Sequence, residues 1–445
     1  MQELLRKLPK IDRFITNKAF DGLSPTLLTQ IAQESIDQIR QEILDKKIES
    51  IDETDIVSRV LKVYDEAIAP SLRPLINATG VILHTNMGRS LIDQEILDRA
   101  SKVICNYSNL EYDQKAGKRG ERYSHLSRSL GRLLGVEDVL VVNNNASAVF
   151  LILNTFAKGK EAVVSRGELV EIGGSFRIPE VMANSGALLH EVGATNKTRI
   201  ADYENAINEN TAILMKVHRS NFTIEGFSAE VAYGDIKALA KEHNLIDYYD
   251  LGSGYIPELP YNLSSQELPI SKVLENNPDL ISFSGDKLFG SVQAGIIAGR
   301  KELIDELKKN QLLRMLRVDK VILSLLEESI RAYLEHRYDL IPTLRLLHTD
   351  MANLRNRAKK IAEAIGADKC EVIESTTFMG GGTLPGREFP TIALKIFGKA
   401  TALEREFRSR DVIGRIEDGS FLIDFRALEK RHESSVVKAA REVLS

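Results

Sequence analysis

The sequence predicts an α/β protein, a mostly parallel central sheet with flanking helices, preceded by a small helical unit and followed by an α+β unit. Three observations carry this. From Glu137 to about Gly299, short apolar runs alternate with helical patterns, and strands spaced by crossover helices make a parallel sheet. Residues 1–66 carry apolar stripes at helical spacing. Residues 346–445 hold strand-like runs around glycine turns and close on a helix. The expected division is therefore 1–66, 67–345 and 346–445.

In the first unit Ser24 is a candidate N-cap with Pro25 at the first helical position. Leu27, Leu28, Ile31, Ile36, Ile39 and Ile43 follow as one stripe, and Asp55 to Tyr64 continues the pattern. Residues 1–70 hold 10 Lys+Arg against 13 Asp+Glu, so nucleic-acid contact there would rest on a few residues, Arg6, Lys7, Lys10 and Arg13. Packing or oligomerisation is the competing use of this unit. Leu72–Ser90 reads as extended chain with turns, and Arg89, between Gly88 and Ser90, could clamp an anion. The stretch Glu111–Arg132 is locally basic, with Lys115, Lys118, Arg119, Arg122, Arg128 and Arg132.

The apolar runs of the core are Val139–Val142, Glu161–Val164, Ala187–Leu189, Ala212–Lys216, Ile246–Tyr249, Leu280–Phe283 and Gly295–Ala298. After Lys301 helices are expected to about Arg337, and Arg314 and Arg317 share a face if their segment is helical, where two guanidiniums could bind a dianion. The C-terminal unit starts at Glu371–Ile373, turns through Gly380–Gly386, and continues through Thr391–Ile396, Ser420–Asp424 and a helix after Glu433. The triple glycine reads as a turn and not a phosphate loop, because no helix with Lys-Ser/Thr follows it.

Composition removes several classes. Apolar content of 43% and charged content of 27% over 445 residues are those of an ordinary globular protein. No apolar run approaches the roughly 18 residues of a membrane span, and the opening residues offer no signal-peptide core, so a cytoplasmic location and no membrane partner are expected. Cys105 and Cys370 lack Cys-x-x-Cys spacing and read as packed thiols, with no disulfide framework or metal site. The net charge of −4 gives no global nucleic-acid signal.

Three stretches point to chemistry. The run Leu280–Phe283 ends in Ser284-Gly285-Asp286-Lys287-Leu288-Phe289-Gly290, which sets a lysine at a strand end, where α/β folds form their ligand crevice. A desolvated amine loses its proton more readily and can form a Schiff base. Ile246–Tyr249 leads to Asp250 and a Gly-Ser-Gly turn, and an aspartate there can pair with the ring nitrogen of pyridoxal phosphate. Val139–Val142 leads through Asn143 and Asn144 to Asn145, Ala146 and Ser147 at a helix start, where free N–H groups bind phosphate. Ser147 and Ser284 could add hydroxyls, His218 could pack on a cofactor ring, and Ser220 or Asn221 could reach its hydroxyl. The order phosphate helix, aspartate, lysine is that of pyridoxal-phosphate enzymes with the aspartate-aminotransferase fold.

These stretches, with the opening Leu-Arg-Lys-Leu-Pro-Lys-Ile-Asp-Arg, Ile76–Arg89, Leu313–Lys320 and Gly380–Pro385, resemble the bacterial selenocysteine synthase family, the L-seryl-tRNA(Sec) selenium transferases, over essentially the whole chain. The resemblance implies a fold-type-I pyridoxal-phosphate enzyme with a tRNA-binding domain at 1–66, a catalytic core at 67–345 and a homodecamer built of dimers. It implies Lys287 as the Schiff-base lysine, Asp286 as a neighbour needed for catalysis, and Arg89, Arg314 and Arg317 as ligands of selenophosphate. The implied reaction turns the seryl group on selenocysteine tRNA into selenocysteinyl through an aminoacrylyl intermediate. A lyase or transferase acting on a free small amino acid, and a non-catalytic RNA-binding ring, are the alternatives.

Overall fold

A computed structural model describes all residues other than 1, 170, 173–175, 220, 221, 223, 225 and 266. The chain forms two compact units, Met1–Pro74 and Leu75–Ser445. In the first, the helices Pro25–Leu44 and Glu53–Ile68 pack through Leu28, Ile31, Ile36, Ile39 and Ile43 against Ile56, Val60 and Tyr64. The expected limit at 66 falls two residues before the second helix ends. Pro25 does open its helix, but the Ser24 hydroxyl makes no cap; the Ser24 N–H donates to the Tyr64 hydroxyl at 2.9 Å instead. Asp52 and Asp55 close a reciprocal capping box on the second helix. Arg6, Lys7, Lys10 and Arg13 are all exposed.

The second unit is built on seven strands, β1 (Asp138–Val142), β2 (Glu161–Ser165), β3 (Leu188–Val192), β4 (Thr211–Val217), β5 (Ile246–Ser253), β6 (Leu280–Ser284) and β7 (Gly295–Gly299). Their order is β1-β7-β6-β5-β4-β2-β3, and β7 alone runs against the others. Every residue of β1, β6 and β7 is buried, because helices cover both faces of the sheet. Alternate residues serve opposite cores: Leu140, Val142, Leu280 and Ile297 enter one, Val139, Val141, Ile281 and Ile296 the other.

The C-terminal residues form a four-stranded antiparallel sheet from β8 (Cys370–Gly380), β9 (Thr383–Ile396), β10 (Arg415–Glu417) and β11 (Ser420–Asp424), ordered β8-β9-β11-β10. The expected turn at Gly380–Gly386 is tighter than that span, since β9 restarts at Thr383. Its tip lies on the segment that carries Arg89: Leu83 N–H donates to Met379 O at 2.9 Å, and a Cβ on Gly380 would meet Val81 Cγ1 at 2.4 Å. Only glycine allows that approach at the φ of 81° found there. Cys370 is buried as expected, but Cys105 is exposed, because it sits past the last turn of the helix Gln94–Ile104, clear of its apolar face.

Candidate active site

The carboxyl ends of β1, β5 and β6 converge on one edge of the sheet. Past β6 the chain turns through Gly285–Gly290, and Lys287 is 5% exposed. Burial, with the charge of Arg89 beside it, lowers the lysine's pKa below its ordinary value, while Asp250, Asp286 and Glu267 pull the other way. Asp286 faces Arg89, whose Nη1 donates to Asp286 Oδ2 at 2.8 Å. The Ser90 hydroxyl lies 2.9 Å from Asp286 O and 3.0 Å from Lys287 O, so the two turns are clasped together. Arg89 itself holds a φ of 61°, a conformation uncommon for a residue with a side chain and often met at functional sites.

Asp250 stands on β5 at a bulge. Its partner on β6 is Ser282, and the register shifts by one before Gly252, whose φ is 62°. The bulge turns Gly252 N–H onto Asp250 Oδ1 at 3.0 Å; Asn145 Nδ2 donates to the same oxygen at 2.8 Å, and Ser282 Oγ lies 3.5 Å away. These bonds gather on Oδ1, and among the described residues Oδ2 takes none. Burial raises the pKa of the carboxyl, opposed by Asn145 and by the Gly252 N–H.

Asn145 begins the helix Asn145–Phe156, capped by Asn144, whose side chain accepts the Ser147 N–H at 2.8 Å. The N–H of Ser147 is thus spent within the cap. Among the described residues nothing takes the N–H of Asn145 or Ala146, and Asn145 Oδ1 is buried without a partner. Ser284 ends β6, buried and level with Ser253. His218 follows β4, its N–H donating to Asp250 O at 2.8 Å; burial holds the imidazole neutral, its pKa lowered to about 4. Glu168 steadies that turn by accepting from Lys216 Nζ and Val217 N–H, each at 2.9 Å. Ser220 and Asn221 lie outside the described residues, as do Gly173, Gly174 and Ser175.

Arg314 and Arg317 do not share a helix face. The helix Leu313–Leu316 is four residues long, and Arg317 is already extended, bridged to Val142 at the end of β1. What unites them is a cavity of about 400 Å3 lined also by Arg119, Arg122, Lys308 and Lys309. Glu111 organises it, 2.9 Å from Arg122, 3.0 Å from Arg119 and 3.7 Å from Arg317. Part of the locally basic stretch is therefore a wall of this cavity. Lys287, Asp286, Arg89, Asp250, Asn145 and His218 form one group; Arg314 and Arg317 belong to the other. Sequence reasoning missed Glu267, a buried carboxyl whose field reaches Lys287. It sits in a connecting segment, with no strand end or glycine turn to mark it.

The residues fit pyridoxal phosphate. Two open N–H groups at a helix start suit its phosphate, the free Asp250 Oδ2 suits its ring nitrogen, and an amine of lowered pKa suits its aldehyde.

A family model described as L-seryl-tRNA selenium transferase matches residues 75–429. The chain is 56% identical to the L-seryl-tRNA(Sec) selenium transferase of Aliarcobacter butzleri (strain RM4018) over 429 residues, covering 96% of this chain and 95% of that protein. It is 54% identical to the protein of the same name from Sulfurimonas denitrificans over 444 residues, covering 99% of each. Among solved structures it is similar in fold to D-glucosaminate-6-phosphate ammonia-lyase, with a TM-score of 0.62 and 18% identity over 86% of this chain and 97% of that one. Among the described residues no helix is long and apolar enough to cross a membrane.

Proposed function

The chain belongs to the L-seryl-tRNA selenium transferase family, and from that premise we propose that it converts L-seryl-tRNA(Sec) to L-selenocysteinyl-tRNA(Sec) with selenophosphate as donor and pyridoxal phosphate as cofactor. The observation that carries the reading is the buried Lys287, in a turn tied down by Ser90 and the Arg89–Asp286 pair, with the charge of Asp250 reaching its amine.

Bound pyridoxal phosphate supplies a ring that takes up the charge left when the α-proton of the seryl group departs. Asn145 and Ala146 offer their N–H groups, and the positive end of their helix, to its phosphate. Asp250 Oδ2 would pair with the ring nitrogen, while Asn145, Gly252 and Ser282 hold Oδ1 still. His218, held neutral by burial, would meet the ring without adding a second cation against the pyridinium. Lys287 Nζ takes the α-proton and returns a proton to the β-hydroxyl, which leaves as water because hydroxide is a poor leaving group. Selenium then bonds to the β-carbon as a proton returns to the α-carbon, and water cleaves the Se–P bond so that phosphate leaves. Asp286 holds Arg89 toward this turn, and Arg89, Arg314 and Arg317 bind the phosphate end of the donor by charge-assisted hydrogen bonds.

Residues 1–66 read the tRNA, residues 67–345 carry the chemistry and residues 346–445 complete the core. The arginine cavity and the Lys287 turn would serve one donor within a homodecamer of dimers, in the cytoplasm. The experiment is selenium transfer from selenophosphate to seryl-tRNA(Sec), with seryl-tRNA(Ser), free serine and Lys287→Ala as controls. Transfer to the selenocysteine tRNA alone, lost in the variant, is expected. Lysine-dependent turnover of free serine without tRNA would overturn the substrate.

A further inference from the structure

Glu267 is 2% exposed and is held at both ends. The Tyr255 hydroxyl donates to its backbone carbonyl. Leu384 N–H donates to Glu267 Oε2 at 3.2 Å. Leu384 keeps a φ of 49° to do so, a conformation rare for a branched side chain, just past the Gly380–Gly382 tip. The other oxygen, Oε1, is buried with no partner, and so is Ser253 Oγ. That hydroxyl lies close enough to lower the carboxyl's pKa without reaching hydrogen-bond geometry. Ser253 is level with Ser284, three residues before Lys287.

A buried carboxyl oxygen without a donor is costly to fold around and calls for a use. We propose that Glu267 is a positioning residue for Lys287, a buried proton store whose free Oε1 gains the proton that Lys287 Nζ loses. The exchange turns a buried ammonium and carboxylate into a neutral amine and a carboxylic acid. Net charge is zero on both sides, so the proton moves without stranding a charge away from water. The role rests on the reading of Lys287 as the reacting lysine.

The electrostatics agree. Burial lifts the carboxyl to about 7, against the pull of Leu384 N–H, Lys287 and Ser253. The other titratable groups that feel it are the Tyr249 and Tyr255 phenols, both raised by burial first. Glu267 in turn raises Lys287 against burial and Arg89.

Glu267→Gln keeps the shape and the acceptor for Leu384 N–H while removing the charge. The test uses full-length protein loaded with pyridoxal phosphate and follows two readouts against pH, the absorbance of the lysine-linked cofactor and kcat for selenium transfer. The parent should show an inflection near pH 7. The glutamine variant should lose it, and the midpoint of the cofactor-linked nitrogen should fall by about one unit, because a negative charge that favoured its proton is gone. Superimposable profiles overturn the proposal. Glu267→Asp keeps the test available should the glutamine variant fold poorly: its shorter carboxyl must displace the inflection, and an unmoved one overturns the role. A lysine-linked absorbance that survives in Lys287→Ala fails the lysine assignment itself, which separates the two failures.

Discussion

The Lys287 turn and the arginine segment at 313–317 sit at the same edge of the central sheet, past β6 and β1, and hold charge under opposite conditions. Lys287 is buried, and that burial, with the charge of Arg89, tips the amine toward losing its proton against the pull of three carboxylates. Arg317 keeps 30% of its side chain exposed on a cavity with at least five other cations, steadied by Glu111. Proton transfer needs a group whose charge can change, and desolvation makes that change easy. Anion capture needs a charge that stays, and a guanidinium keeps its proton in any protein setting.

The largest effect that could break this contrast comes from Lys287→Met. The substitution conserves volume and removes the amine, so selenium transfer should fall by about 10^4-fold or more. Thermal stability should hold or rise, since a desolvated amine is gone. Turnover within tenfold of the parent would end the contrast. Asp250→Asn keeps the shape and removes the negative charge; kcat should drop by about 10^2- to 10^3-fold with little change in KM for the tRNA. Arg314→Gln and Arg317→Gln should act the other way round. Each removes a charge-assisted contact of about 1.5–3 kcal/mol, which raises KM for selenophosphate tenfold or more and leaves kcat closer to the parent. That KM should also rise with salt in the parent, because the cavity is open to screening ions.

A separate effect, outside turnover, is on stability against pH. Burial pushes the Glu267 carboxyl up to about 7 from the ordinary 4.5, so folding favours its protonated form. Its contribution is complete below pH 4.5 and is lost as pH rises through 7, in all about 3 kcal/mol. His218 has the reverse sign: its imidazole is held neutral, so its contribution is present above pH 6.5 and lost as pH falls toward 4. Denaturant unfolding across pH 4–8 should show the first slope flattened in Glu267→Gln and the second flattened in His218→Gln.

Much of the fold was legible because a sheet covered on both faces needs unbroken apolar strands. Each of the seven apolar runs became one strand of the central sheet. Lys287, Asp250 and Asn145 were legible for a related reason: each follows such a run within a polar turn, and strands that run the same way in one sheet end at the same edge. Arg314 and Arg317 were legible as a pair but not as a geometry, because their i, i+3 spacing fits a helix that ends at Leu316. Ser24 looked like a side-chain cap, yet Tyr64, forty residues away, takes its N–H instead.

By itself the sequence determined the strands, the turn that carries the lysine, the helix start that suits phosphate and the family. Those features are set by hydrophobic period and local turn chemistry, which act over a few residues. The tertiary structure alone decided which groups face one another. Arg89 meets Asp286 across 197 positions, and Glu267 meets Leu384 across 117. A desolvated charge takes its properties from whatever packing places against it, and no local pattern encodes that.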